Sequence, residues 1–326
     1  MKISALASDP IAPAATVSVV ILTHNYERFI GRVIQSVKGQ TLPFTECVII
    51  DNASSDATVA EARRAVADDP RFRIVEKSNE GPASARNQGY RELTTATRYV
   101  HWLDGDDELE PTFLAITCDH LDRHPAAGLV TTGFCAINPE GEFIGKRHRS
   151  RWTAGALLPR QQADHEFNTP FDVFFGVTGQ GPFSVVRRSV FDRTTGWEEG
   201  FWTHEDSDMF CQMALLAEVH HLPTVLYRKR EHPGSIMAQK KRNHYGAFRA
   251  KWDGPEVLRL YDRQRILKAR RWYYRRHRPM RDLRIALKAL RNGGWRGHSG
   301  RWAKVCALNA LFGFLLGDHR LSNRWR

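Results

Sequence analysis

Asp104-Gly105-Asp106-Asp107 puts three carboxylates within four residues. Such neighbours repel one another unless protons or a cation neutralise them. Oxygen ligands suit a hard divalent ion such as Mg2+ or Mn2+, typically held by one or two carboxylates together with a substrate's phosphates. Gly105 permits close approach of a ligand to the backbone. A solvated acidic turn capping the next helix is the plainer alternative. Asp51 directly follows the apolar run Cys47–Ile50. A carboxylate there can accept from a ring N–H, such as that of uracil or guanine; a turn or helix cap competes with that role. Asp56 is better explained as the cap of the next helix. Asn79–Gly89 (NEGPASARNQG) is a small-residue helix start carrying one arginine. A helix N-terminus attracts phosphate through its free N–H groups and dipole, and Arg86 could reach a diphosphate or the carboxylate cluster. Glu205-Asp206-Ser207-Asp208 precedes another apolar run, with Trp197 and Trp202 in a Gly-containing loop just upstream. One of its carboxylates could meet a substrate hydroxyl as a general base, although acids at a helix start also satisfy the dipole. Arg228–His232 (RKREH) offers cations for a leaving diphosphate and one imidazole, His232, for a metal.

The elements that must position these residues are legible as alternating apolar patterns. Val17–Leu22 (VSVVIL), Cys47–Ile50, Phe72–Val75, Tyr99–Leu103 and Gly128–Ile137 read as strands. Between them, helical spacing covers Phe29–Val37, a segment from Asp56 to about Ala67, one opened by Gly81-Pro82, and Pro111–His124. This βα alternation predicts an α/β fold with an open, mainly parallel sheet flanked by helices. Ligands of such sheets bind beyond the carboxyl ends of the strands. Polar residues gather there: Thr23-His24-Asn25, Asp51–Asp56, Ser78–Gly81 and Asp104–Asp107. Four such ends make one crevice. Farther on, Asn138–Gly141 reads as a hairpin turn, Arg147–Asp164 as loop, Gly181–Arg187 as a strand, Glu205–Ala217 as a helix and Val219–Tyr227 as a last strand.

Charge divides the chain. Residues 240–326 hold 24 Lys and Arg against 5 Asp and Glu, and residues 1–239 hold 24 against 31. The expected organisation is a flexible N-terminal arm over 1–15, a catalytic domain over 16–239 and a basic helical C-terminal region over 240–326. In that tail, Tyr261–Leu290 sets apolar residues among many arginines, and Trp302–Leu316 is more apolar but too short to span a bilayer. A basic amphipathic helix can lie on an anionic membrane surface; packing of its apolar face on the body competes with that, and the two can coexist. Five scattered cysteines form no C-x-x-C pair, which speaks against a zinc site of that type and for reduced thiols in a cytoplasm. The expected location is cytoplasmic, with a peripheral place at the inner face of the membrane for the tail.

Together the segments VSVVILTHN, VIIDNASSDAT, NEGPASARNQG, WLDGDD, GWEEGF and HEDSD resemble, in order, those of the family two glycosyltransferases, which use nucleotide sugars on a GT-A fold. The resemblance covers roughly residues 16–235, with Leu22 where a proline is frequent. It implies that Asp51 binds the base, that Thr23 and Asn25 line the nucleotide pocket, and that Asp104 contacts the nucleotide sugar. Asn79 and Arg86 belong to the same donor site. Asp106 would hold Mg2+ or Mn2+ on the diphosphate, Asp206 would be the catalytic base, and Arg230 and His232 correspond loosely to an Arg-x-His element. The implied activity is inverting transfer from a nucleotide sugar, a UDP-sugar first, to a hydroxyl of a glycan or lipid-linked acceptor. A nucleotidyltransferase on a similar fold is the enzymatic alternative. The basic tail with its interleaved aromatics raises a nucleic-acid-binding protein as a non-enzymatic one. Nucleic acid is not the expected partner, because it leaves the acidic strand ends unexplained.

Overall fold

In a computed structural model of the chain, residues 16–94, 97–148, 166–168, 183–235 and 245–260 are described. The expected N-terminal arm and the apolar segments beyond residue 260 lie outside them. The first apolar run forms β1 (Val17–Thr23), buried along its whole length. Alternation divides its side chains: Val17, Val19 and Ile21 enter a core on one side of the sheet, Val20 and Leu22 a core on the other. A strand covered on both faces needs apolar residues on both, hence the near-continuous run.

Strand β1 lies between β2 (Glu46–Asn52) and β4 (Tyr99–Asp104), with β3 (Phe72–Lys77) beyond β2, all parallel. Helices α1 (Ile30–Lys38), α2 (Thr58–Val66) and α4 (Phe113–Arg123) cover one face, contributing Ile30, Val33, Ala62, Phe113 and Leu121 to its core. Helix α3 (Pro82–Arg91) covers the other face through Ala83 and Ala85. It lies so close that a Cβ on Gly89 would come within 2.2 Å of Val20 Cγ1. Ala57, not Asp56, takes the N-cap position of α2; Asp56 stands one residue ahead of it and accepts from the Thr58 N–H at 3.0 Å.

Beyond β4 the sheet becomes mixed. Strand β6 (Ala127–Ile137) and β10 (Glu218–Arg230) run parallel in a long ladder. The short β9 (Ser184–Arg187) enters antiparallel between β4 and β6. The turn after β6 returns as β7 (Phe143–His148), the expected hairpin. Arg147 and His148 thus belong to a strand and not to the expected loop; the rest of that loop lies outside the described residues. Strand β5 (Glu108–Leu109), too short to leave a period in the sequence, pairs antiparallel with β10, as does β8 (Glu166–Asn168). The last strand also runs longer than expected, because its pairing with β6 persists to Arg230 opposite Ile137.

Helix α5 (Arg188–Phe191) leads to a loop and then to α6 (Glu205–Leu216), which packs Met209, Phe210 and Met213 on the second core. The start of the basic region forms α7 (Tyr245–Asp253) and α8 (Val257–Leu260), with Phe248, Trp252 and Val257 buried. Trp252 Nε1 donates to Asp208 Oδ1 at 2.7 Å, and Lys251 pairs with Asp208 and Glu198. This part of the tail docks on the body. No helix among the described residues is long and apolar enough to cross a membrane.

Candidate active site

The carboxyl ends of β1 to β4 converge as the topology requires. Gly105 N–H donates to Leu22 O at 2.7 Å, and a Cβ at Gly105 would meet that oxygen at 2.5 Å. Glycine is therefore what lets the acidic turn lie against the end of β1. From there the three carboxylates diverge in role. Asp107 is buried and accepts from Tyr227 Oη at 2.8 Å and from Arg230 N at 2.7 Å. Burial, with Asp106 and Asp104 beside it, pushes its carboxyl well up. Asp106 lies 2.9 Å from His232 Nε2. His232 is held in turn by the rings of Phe29 and Tyr26, with centroids at 4.9 and 5.7 Å. Asp104 is the most accessible of the three and pairs with Arg86 at 3.1 Å. Burial raises its carboxyl while Arg86 pulls it back. The ligand atoms of Asp104, Asp106 and Asp107 lie within 4.8 Å of one another. With Asp107 engaged by Tyr227 and Arg230, Asp104 and Asp106 are the carboxylates of this group that could hold a divalent cation, with His232 in contact with Asp106.

The nucleotide side of the crevice is a chain of short polar contacts. Asp51 is buried and accepts from Ser54 N–H at 2.9 Å. Asn25 takes a left-handed conformation, φ 57°, and bridges to the same loop: its N–H donates to Ser54 Oγ, and its Oδ1 accepts from Ser55 N–H. Asparagine tolerates that backbone region better than most residues. Asn79 Oδ1 accepts from Asn52 Nδ2 at 3.0 Å, joining the ends of β2 and β3. Thr23 Oγ1, His24 Nδ1 and Asn52 Oδ1 are buried atoms with no hydrogen-bond partner among the described residues. Buried polar atoms are normally satisfied, so three exceptions at adjoining strand ends suit a polar ligand there.

Arg86 does not face outward from its helix. It is buried, donates to Glu205 Oε1 at 2.7 Å and to Asp104 Oδ1 at 3.1 Å, and lies 4.8 Å from the centroid of the Trp197 ring. Of the two destinations open to it in the sequence, it takes the carboxylate cluster. The pairing raises the arginine's pKa, whereas burial outweighs the same pair at Glu205 and lifts that carboxyl to about 7. Asp206 follows, half-buried, with Oδ1 accepting from Ser207 N–H at 2.6 Å. It is close enough to act electrostatically on both Arg86 and Glu205. Asp208 points elsewhere, fully buried against Trp252, Gln212 and Lys251.

Other arrangements leave no trace in spacing. Asn87 straps the tryptophan loop to α3, donating to Trp197 O at 2.8 Å and accepting from Trp197 N–H at 2.9 Å. Gly81, φ 101°, receives the Trp202 ring, which a Cβ would meet at 3.1 Å. His204 enters α6 at φ 71°, a left-handed turn that sets the direction of Glu205 and Asp206. Arg228 and Arg230 depart from the expected diphosphate role. Arg230 is buried and bonded to Glu108 and to the carbonyls of Asp106, Asn138 and Pro139, while Arg228 donates to Gly141 O. The reason is the longer β10: two residues apart on a strand, both side chains share one face. Lys229 faces the other way, and its charge reaches Asp104 and Asp107.

The sequence profile of glycosyl transferase family 2 matches residues 18–194, more than half of the chain. The chain is 25% identical over 239 residues to hyaluronan synthase of Pasteurella multocida, covering 70% of this chain and 22% of that protein. It is 32% identical over 253 residues to EpsJ of Bacillus subtilis, described as an uncharacterized glycosyltransferase, covering 71% of this chain and 70% of that protein. It spans 24%, 22% and 31% of the length of three longer relatives it matches. Among solved structures, S. aureus TarS 1–349 in complex with UDP-GlcNAc superposes with a TM-score of 0.60 at 15% identity, over 91% of this chain and 92% of that one. GalNAc-T7 with UDP, GalNAc and Mn2+ gives a TM-score of 0.54 at 16% identity, over 68% and 44%. The structural likenesses show the expected GT-A architecture. Since the matched profile takes in all four strand ends that build the crevice, the chain belongs to glycosyl transferase family 2.

Proposed function

We propose that this chain is an inverting glycosyltransferase that moves a sugar from a UDP-sugar to a hydroxyl of a glycan or lipid-linked acceptor. The observation that carries the reading is the Arg86 bridge. By pairing with Asp104 and Glu205 together, it ties the acidic turn after β4 to the first turn of α6. The metal candidates Asp106 and His232 and the base candidate Asp206 thereby belong to one crevice.

In this reading Asp51 accepts from the uracil ring N–H. Thr23, Asn25 and Asn79 line the nucleotide pocket with the unpartnered Thr23 Oγ1 turned to the ligand. Asp104, oriented by Arg86, takes a hydroxyl of the nucleotide sugar. Asp106 and His232 hold Mg2+ or Mn2+, which when bound supplies positive charge for the departing diphosphate. Asp206 takes the acceptor hydroxyl's proton as that oxygen bonds to the anomeric carbon from the face opposite the diphosphate. The carbon–diphosphate bond breaks in the same displacement, the anomeric configuration inverts, and UDP leaves. TarS, bound to UDP-GlcNAc, and GalNAc-T7, bound to UDP, GalNAc and Mn2+, support the donor and metal class. The enzyme works at the cytoplasmic face of a membrane, where the part of the basic region that is not docked on the body meets anionic lipid.

A panel of UDP-, GDP- and CMP-sugars incubated with the full chain and Mg2+ or Mn2+ tests this reading. Release of UDP from one UDP-sugar, abolished by chelator, is the expected result. Release of pyrophosphate from a nucleoside triphosphate and a sugar phosphate would instead make the chain a nucleotidyltransferase.

A further inference from the structure

We propose a second metal site, built from imidazoles and remote from the crevice: His120, His124 and His220 bind a Zn2+-class transition metal that clips the end of α4 to the start of β10. The three residues present ligand nitrogens within 4.8 Å of one another. His120 and His124 stand four positions apart and therefore on one face of the helix end, their rings stacked with centroids 4.1 Å apart. His220 comes from the opposing strand, in register with Val130 of β6 and with β8 on its other side. Its Nδ1 lies 2.8 Å from His120 Nε2. His120 and His220 are buried and His124 half-buried.

The tautomers implied by the outer contacts suit ligation. His124 Nδ1 lies 2.8 Å from His120 O, a carbonyl that only accepts. That contact puts the proton on Nδ1 and leaves Nε2 with its lone pair. His220 Nε2 lies 3.0 Å from the Glu218 carboxylate, which puts the proton on Nε2 and leaves Nδ1 with its lone pair. A carboxylate or carbonyl behind a ligating imidazole is the usual outer shell of such sites. The ligating set would be His120 Nε2, His124 Nε2 and His220 Nδ1. At a Zn–N length of about 2.0–2.1 Å, two tetrahedral ligands stand about 3.3 Å apart. The 2.8 Å pair must therefore open by about half an ångström, and His120 must give up its Nε2 proton while taking one from solvent at Nδ1, so that it ligates as a neutral imidazole with no net proton released. The partial charges at a helix C-terminus favour a cation, and the site lies at the C-terminus of α4. Arg187 pins that end by donating to the Leu121 and Ala127 carbonyls. Imidazole sets select zinc, copper, nickel or iron over magnesium, so this site and the acidic turn would take different metals. His220 is also ten residues upstream of Arg230 on one strand, on the order of 30 Å from the crevice.

The test uses the full chain, stripped of metal and then held in excess Mg2+, without nucleotide sugar, so its outcome is independent of the transfer reaction. Titrated Zn2+ is expected to bind one equivalent and raise the melting temperature. Co2+ in its place should give the visible bands of a four-coordinate site with three imidazole ligands. His124→Gln, at the partly exposed position, should keep the metal-free melting temperature but bind Zn2+ at least about tenfold more weakly, the lower edge of what loss of even an outer-shell partner costs. His220→Gln should do the same if it folds, and Asp106→Asn should leave Zn2+ binding unchanged. Absence of Zn2+ binding overturns the inference. So does undiminished binding in His124→Gln, or loss of binding in Asp106→Asn, which would assign the metal to the acidic turn.

Discussion

Asp106 and Glu205 are the residues at which the physical chemistry of the site is most exposed to test. Asp106 is buried and in contact with His232, whereas Asp107 is consumed by Tyr227 and Arg230. Asp106→Asn removes a charged ligand where diphosphate charge must be neutralised. Its UDP-sugar turnover is expected to fall by about 100-fold or more, in keeping with a contribution of several kcal/mol from such an ion. Steady-state UDP release in Mg2+ and Mn2+ measures it. For Glu205 the prediction concerns pH. Its folded carboxyl sits at about 7 against an ordinary 4.5, with burial the largest cause. Between those values the folded state keeps a proton that the unfolded chain releases, so this group's contribution to stability falls as pH rises through that window. Glu205→Gln should flatten the pH dependence of the urea midpoint from pH 4.5 to 7; an unchanged slope would contradict the assignment. Asp51, Asp104, Asp106 and Asp206 stand out in the sequence because each follows an apolar run or opens one. The Arg86–Glu205 pair does not, since its partners are 119 residues apart and each also has a good local explanation as a surface arginine and a helix-start acid.

At the scale of elements, α3 and the tryptophan loop decide how the base candidate meets the sheet. Gly89 sets α3 directly on β1 and β2, with no room for a methyl group between it and Val20. Gly89→Ala is therefore expected to destabilise the protein by about 1–3 kcal/mol, the usual cost of overpacking, although alanine is the better helix former. Urea denaturation followed by far-UV circular dichroism would show it, and a neutral or stabilising result would mean that α3 can shift at little cost. The parallel half of the sheet is legible because its strands carry largely apolar runs of four to six residues. The antiparallel half is less so. Two-residue β5 cannot show a period, and nothing local in Ser184–Arg187 specifies insertion between β4 and β6. In the sequence, β10 reads as ending at Tyr227, before Arg228–Arg230, because Arg-Lys-Arg is unusual in a strand; burial of Arg230 against Glu108 and three carbonyls is a tertiary compensation.

For the whole molecule, the charge step near residue 240 does not coincide with the end of packing. Phe248, Trp252 and Val257 are buried, and Trp252 and Lys251 satisfy the buried Asp208 of α6. Trp252→Ala should cost about 3–5 kcal/mol, measurable as a lowered urea midpoint. Vesicle binding by the tail is accordingly better compared between the full chain and one ending after residue 260 than one ending at 240. With anionic vesicles the longer chain should bind more tightly, and added salt should narrow the difference. Whether the crevice transfers sugar with Asp206 as the base is decided by one measurement. It is the transfer rate of donor-saturated Asp206→Asn to an identified acceptor, beside its affinity for the UDP-sugar. Unchanged donor affinity and a rate lower by about 100-fold or more are expected, as loss of a general base typically gives. A rate within a few-fold of the unsubstituted enzyme would contradict that role for Asp206.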